Sequence, residues 1–123
     1  MPIATTPPSG FRDFLPAAVA ARHGAIETIS RGYRSFGFQP VATSAVEDLS
    51  VLLGKGGGEN EKLIFKLLKR GESLDRAQAE KTELADLGLR FDLTLPLARY
   101  YSKHGSMLPH PFKAFNLGPV WRA

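Results

Sequence analysis

From Ala17 to Phe36 the apolar side chains Val19, Ile26, Ile29, Tyr33 and Phe36 recur at spacings of 3, 4 and 7. That is one stripe of an amphipathic helix. Asp13 and Pro16, just ahead of it, offer a capping carboxylate and a preset φ. Gly37 is a C′ stop. Arg22 interrupts the stripe. Gly24 and Gly32 inside it each cost roughly 1 kcal/mol against alanine, either to admit another backbone closely or simply as a tolerated loss of propensity.

Beyond the helix the pattern becomes short-ranged. Phe38 to Thr43 reads as a brief strand, and Val46 to Leu53 as helical, running into the glycine-rich GKGGGENEK. Lys62 to Arg70 fits two templates: Leu63, Ile64, Leu67 and Leu68 make a helix face, whereas Leu63, Phe65 and Leu67 make a strand face. Its length and Gly71 directly after it favour the strand. Glu72 to Asp86 is rich in Glu, Asp, Lys, Arg and Gln, an exposed excursion between two strands that can form a helical hairpin arm. Leu87 to Phe91 returns to a strand. A second helix follows over Leu95 to His104, with Pro96 tolerated in its first turn. Leu97, Tyr100 and Tyr101 can face the core, Arg99 and Lys103 take the outer side, and Gly105 ends it. Ser106 to Pro111 is a proline-bearing loop.

The last dozen residues, Phe112 to Ala123, alternate as a strand does. Lys113, Phe115, Leu117, Pro119 and Trp121 form a bulky face suited to packing under a helix. Phe112, Ala114, Asn116, Gly118, Val120 and Arg122 form the other, where small residues lead to a terminal arginine. Such a face can hold a ligand near the backbone with a cation at its edge. A strand carrying a solvated arginine has the same pattern. No internal repeat is visible.

Composition narrows the class. A chain of 123 residues and 13.4 kDa, 43% apolar and 23% charged, is at most one domain with a small core. Residues 1–9 are small, polar and proline-containing, which predicts a flexible leader. No apolar run approaches the ~20 residues that span a bilayer, and no basic and apolar regions mark a secretory signal. The absence of cysteine excludes disulfides, thiolate zinc sites and cysteine nucleophiles, and makes a cytoplasmic location the expectation. A net charge of +4 with pI near 9.6 suits an anionic partner such as a nucleotide or RNA. It is also what solubility alone asks for.

Few residues carry candidate chemistry. Asp92 and Thr94 stand at i and i+2 where a strand hands over to a helix. A carboxylate and a hydroxyl so placed can pair with an ammonium group and hydrogen-bond a small substrate; they are equally what a helix N-cap needs. Gly54-Lys55 is followed by Gly56, so the glycine-rich stretch lacks the phosphate-loop spacing and reads as a connector. His23, His104 and His110 lack ligand spacing, so no metal site is expected from protein side chains. There is no G-x-S-x-G elbow.

Three blocks together carry a family resemblance. GFRDFLP (Gly10 to Pro16), LRFDLTLPLARYY (Leu89 to Tyr101) and FKAFNLGPVWRA (Phe112 to Ala123) resemble, in that order, class II aminoacyl-tRNA synthetases and histidyl-tRNA synthetases in particular. Residues 17–47, ending in a short strand and Glu47, look like motif 1, which builds the dimer interface in these enzymes. Ser44 departs from the family's proline there. Residues 112–123 look like the first strand of motif 2. The resemblance implies an α/β (α+β) catalytic fold over residues 10–123, an antiparallel sheet flanked by helices, present as its N-terminal part. It also supports the strand reading of Lys62 to Arg70.

The resemblance further implies histidine–tRNA ligase activity. Histidine and ATP, with Mg²⁺, form histidyl-adenylate, and the histidyl group passes to tRNA-His, in a homodimer. Asp92 and Thr94 fall on the positions that bind the histidine amino group. Arg122 falls on the motif 2 arginine that holds the ATP α-phosphate and serves catalysis. Asn116 and Gly118, on the same predicted face, are candidate pocket lining. The rest of motif 2, motif 3, the histidine-specific glycine-rich segment and the anticodon-binding domain do not follow in this sequence. The expectation is a truncated piece, inactive alone. Two other readings remain open. One is a synthetase-like regulatory subunit of ATP phosphoribosyltransferase, with similar GFRD and LRxD blocks. The other is a non-catalytic dimerisation module.

Overall fold

A computed structural model describes residues 3–54, 58 and 60–123. It divides into two units, residues 1–38 and 39–123. Of the glycine-rich stretch, Lys55, Gly56, Gly57 and Glu59 lie outside the described residues, and so does the connector expected there.

The first unit is built on α1, Pro16–Ser35. Pro16 sits at the first helical position, where its missing N–H costs nothing. The cap itself is Leu15, in an extended conformation and without a side-chain hydrogen bond. The expected carboxylate cap from Asp13 does not form, because proline alone presets the first turn from one residue further on. Arg12 and Arg22 both lie over the ring of Phe14, 4.7 and 4.5 Å from its centre. Arg22 thus breaks the apolar stripe to make a cation–π contact with the segment before the helix.

The helix stops as Gly37 predicts. Gly37 takes φ 82°, its N–H donates to Arg34 O, and the Phe38 N–H donates back to Tyr33 O at 3.1 Å. These two bonds define a Schellman motif, sealed by an edge-on contact of Tyr33 with Phe38 at 5.4 Å. A Cβ on Gly24 or Gly32 would meet nothing within 4 Å, so neither glycine is there for close approach within the chain.

The described residues of the second unit hold five short strands. β1 (Gln39–Val41) pairs in parallel with β5 (Ala114–Asn116), Pro40 opposite Phe115. β2 (Val46–Asp48), β4 (Ala85–Leu89) and β3 (Lys66–Leu68) form an antiparallel sheet with β4 central. Glu47 faces Gly88, and Lys66 faces the same glycine from the other side. A Cβ at Gly88 would stand 2.7 Å from Ile64 Cγ2 and 3.0 Å from Leu52 Cδ1. The central strand therefore needs glycine where the core presses closest. That core is Leu52, Ile64 and Phe91, with Leu49, Leu53, Leu63 and Leu95 around it.

Several expected boundaries move. Val46 to Leu53 is not one helix: β2 comes first, and α2 covers only Leu49–Leu53. Pairing with β4 claims the first three residues, and the helix starts where that pairing ends. The Ser44 hydroxyl accepts the Val46 N–H at 3.2 Å, closing the turn that leads into β2. Lys62 to Arg70 also divides, into a 3₁₀ turn over Asn60–Leu63 and then β3. The polar excursion is helical: α3, Glu72–Glu80, joins β3 to β4 and ends on Lys81 in the left-handed region.

α4 spans Thr94–His104 and Gly105 is its C-cap. Arg99, expected on the outer side, instead reaches Glu47 of β2, its Nε 2.7 Å from Oε2. The terminal dozen residues form a strand only over Ala114–Asn116. Before it, Phe112 stacks on Tyr100 and Tyr101 of α4 at 6.5 and 5.2 Å, so Phe112 serves packing and not a ligand face. After it, among the described residues, the backbone-to-backbone bonds are Trp121 N–H to Arg90 O and Ala123 N–H to Leu63 O.

Candidate active site at the exit of the central strand

β4 carries the chain to Leu89, and the next five residues hold most of the candidate chemistry. Arg90 continues the strand's tie to its neighbour, its N–H donating to Ala45 O at 3.0 Å. Phe91 turns into the core at 5% exposure. Asp92 Oδ1 accepts the Leu95 N–H at 3.2 Å, three residues on, inside the first turn of α4. The helix-capping use of Asp92 is therefore real. It occupies one carboxylate oxygen, and the half-buried side chain retains acceptor capacity in the other. Thr94 is exposed at the first position of α4.

Arg122 crosses to this same exit. Its Nε donates to Phe91 O at 3.2 Å, which seats the exposed arginine on the residue immediately before Asp92. With Nε committed, the two terminal nitrogens of the planar guanidinium keep donors for an anion such as phosphate. Asn116 and Gly118 join the group less directly. Asn116 Nδ2 donates to Thr43 Oγ1 at 2.7 Å, and Asn116 Oδ1 is buried without a partner. Gly118 lies against the Arg90 guanidinium, and a Cβ there would collide with Nη2. Room for an arginine, rather than for a ligand, is thus a sufficient reason for that glycine.

The burial of two charges, Arg90 and Glu47, was not foreseen in the sequence. Arg90 is 5% exposed. Its Nε donates to Pro119 O at 3.0 Å and its Nη1 to Thr43 O at 3.0 Å, to Thr43 Oγ1 and to Ser44 O. Glu47 is likewise 5% exposed and pairs with Arg99. The one available signal was a cation between Leu89 and Phe91 in an otherwise apolar strand.

Among the described residues no group of three or more His, Cys, Asp or Glu is placed to hold a metal ion. A cleft of about 530 Å³ opens elsewhere, beside β3 and α3, lined in part by Lys69, Arg70, Ser73 and Asp86. It contains none of Asp92, Thr94 or Arg122. Size alone does not outweigh the convergence of an arginine fork and a carboxylate at the β4 exit.

Comparison with known proteins bears on this arrangement. The family model described as histidyl-tRNA synthetase matches residues 10–123. The histidine–tRNA ligase of Leifsonia xyli subsp. xyli is 46% identical over 123 residues, covering 96% of this chain and 28% of that protein. That of Christiangramia forsetii is 40% identical over 126 residues, covering 94% of this chain and 28% of its own length. The chain thus spans little more than a quarter of the curated relatives it matches. Among solved structures, histidyl-tRNA synthetase from Nostoc sp. PCC 7120 superposes with a TM-score of 0.79 at 34% identity, over 98% of this chain and 25% of that one. An ATP phosphoribosyltransferase regulatory subunit/histidyl-tRNA synthetase from Bacillus halodurans C superposes at 0.77 over 100% of this chain and 29% of that one, but at 23% identity, a likeness of fold alone. A mixed fold of antiparallel sheet and helices, matched across nearly the whole chain at both levels, places this protein in the histidyl-tRNA synthetase family.

Proposed function

We propose that these residues are the part of a class II histidine–tRNA ligase that receives the amino end of histidine and the α-phosphate of ATP. The observation that carries the reading is the seat of Arg122 on Phe91 O, one residue from Asp92. The free oxygen of Asp92 takes the histidine ammonium, and the Thr94 hydroxyl takes a second hydrogen bond from the same group. A carboxylate oxygen of histidine attacks the α-phosphorus, the bond to the pyrophosphate oxygen breaks, and pyrophosphate leaves. Negative charge grows on the phosphoryl oxygens in that step, and the fixed Arg122 guanidinium stabilises it electrostatically. A hydroxyl at the 3′ end of tRNA-His then attacks the acyl carbon, the bond to the phosphate oxygen breaks, and AMP leaves. Mg²⁺ would enter with the ATP phosphates, whose hard oxygens suit it.

Two further parts of the reading have their own support. Homodimerisation is supported by an apolar groove of about 290 Å³ lined by Ile29, Gly32, Tyr33, Phe36 and Phe38 on the first unit. A cytoplasmic site of action agrees with the family, and no helix among the described residues is long and apolar enough to cross a membrane.

Histidine-dependent ATP–pyrophosphate exchange by the longest native product carrying this segment is the test. Exchange that falls at least tenfold in Arg122→Lys, about the effect of one lost transition-state contact, is the expected result. The isolated 123 residues should give little or none. Histidine binding with no exchange by the native product would sink the ligase reading. It would favour a regulatory subunit, the second reading.

A further inference from the structure

We propose that Arg90 is a positioning residue that sets where the Arg122 guanidinium stands relative to Asp92; the functional half of this claim rests on the ligase reading. Arg90 is the point at which three separate stretches of backbone meet. Its side chain donates to Pro119 O on one side and to Thr43 O and Ser44 O on the other. Its own carbonyl accepts the Trp121 N–H at 3.1 Å, and its own N–H reaches Ala45 O at 3.0 Å. Residues 119 and 121 are thereby fixed to the β4 exit on both sides of Val120. Arg122 follows directly, between this tie and the Ala123 N–H, which donates to Leu63 O at 3.0 Å, and its Nε donates to Phe91 O.

The choice of residue follows from the geometry. The guanidinium is a rigid fork, so one side chain bonds carbonyls lying in different directions. An ammonium is a single point and cannot span Pro119 O and Thr43 O together. The fork is also a tight fit, since Nη2 occupies the space a Cβ at Gly118 would need. Arg90 is buried, and carbonyls and a hydroxyl are its recorded partners. It is thus committed to holding backbone and takes no part in contacting substrate. Asp92 has a different anchor, the Leu95 N–H. Loosening Arg90 should therefore disturb the ATP side of the site and spare the histidine side.

Two measurements on the protein at its native length test this, with Arg90→Lys and Gly118→Ala as variants. The first is backbone hydrogen exchange. Residues 120–123 should exchange about tenfold faster in either variant, the effect of one lost charge-assisted hydrogen bond, while α4 stays protected. This readout needs no activity, so it decides the positional claim even where wild-type exchange of pyrophosphate is absent and the ligase reading itself has failed. Where the wild type is active, KM for ATP should rise about tenfold with KM for histidine within about twofold. The double variant should be no worse than Arg90→Lys alone, because the lysine leaves no Nη2 for the alanine to meet. Unchanged exchange at residues 120–123 overturns the proposal. So does loss of protection spread evenly over β2, β3 and β4, or equal damage to both KM values.

Discussion

Asp92 shows how one residue serves two ends. Its Oδ1 holds the Leu95 N–H, so replacement by alanine would mix a lost cap with a lost ligand. Asp92→Asn separates them. The amide keeps a carbonyl oxygen for the cap, and stability should change by no more than a few tenths of a kcal/mol, as between these two residues in capping series. The charge that would hold an ammonium is gone, and KM for histidine should rise at least about tenfold, the lower end for a hydrogen bond to a charged group. Urea melts and exchange kinetics on the same preparation check both halves. A marked fall in stability with unchanged KM would leave Asp92 as a cap alone. At this scale the candidate residues were legible because their chemical types are fixed by the sequence. Their neighbours were not: nothing near Arg90 in the chain announces Thr43 or Pro119, which lie 47 and 29 positions away.

Among elements, the join of β2 to α4 depends on one ion pair. Glu47 keeps 4% of its side chain exposed and Arg99 keeps 32%, so the carboxylate is the partner that cannot turn to water. Arg99→Met should therefore cost about 3 kcal/mol, at the low end for a broken buried pair. Urea melts of variant and wild type measure it, and a loss of less than about 1 kcal/mol, the value of an exposed pair, would refute this. Glu61 and Lys66, joining the 3₁₀ turn to β3 at 2.6 Å, behave otherwise. Their hydrogen bond and mutual attraction hold Glu61 below its ordinary 4.5 and Lys66 above its ordinary 10.5. The acid side of this contribution is present above 4.5 and lost as pH falls through the lowered value. The basic side is present below 10.5 and lost as pH rises through the raised one. Both groups are exposed, so the difference between wild type and Glu61→Gln should be small and vanish near 1 M salt, where the Debye length is about 3 Å. Differential melts at neutral pH with and without salt measure it.

For the whole molecule, the first unit carries an apolar groove rimmed by part-exposed side chains. Ile29, Tyr33 and Phe36 remain 51%, 46% and 75% exposed around the groove on α1, more than isolated apolar residues on a monomer need. A second copy is the occupant the proposed function names. Phe36 follows the last helical residue and leaves the Schellman bonds to the backbone of Gly37 and Phe38, so Phe36→Ser should keep the helix while shifting sedimentation towards monomer. A wild type that stays monomeric at every concentration tested would remove the dimer from the reading. The net charge of +4 is consistent with the anionic substrates proposed, ATP and tRNA, without choosing between them.

By itself the sequence determined whatever depends on near neighbours in the chain. The period of α1, its stop at Gly37, the proline at its start, the helical excursion between β3 and β4 and the three family blocks are all of that kind, because helix contacts and turn conformations are set within about four residues. Tertiary structure decided the rest. Where β2 hands over to α2, and how little of residues 112–123 becomes strand, depend on where a partner backbone stands. The same holds for the pairing of Glu47 with Arg99 across 52 positions and of Asn116 with Thr43 across 73. A buried charge or amide must find its partners in space, and only the folded chain says which distant carbonyl, hydroxyl or carboxylate is there to meet it.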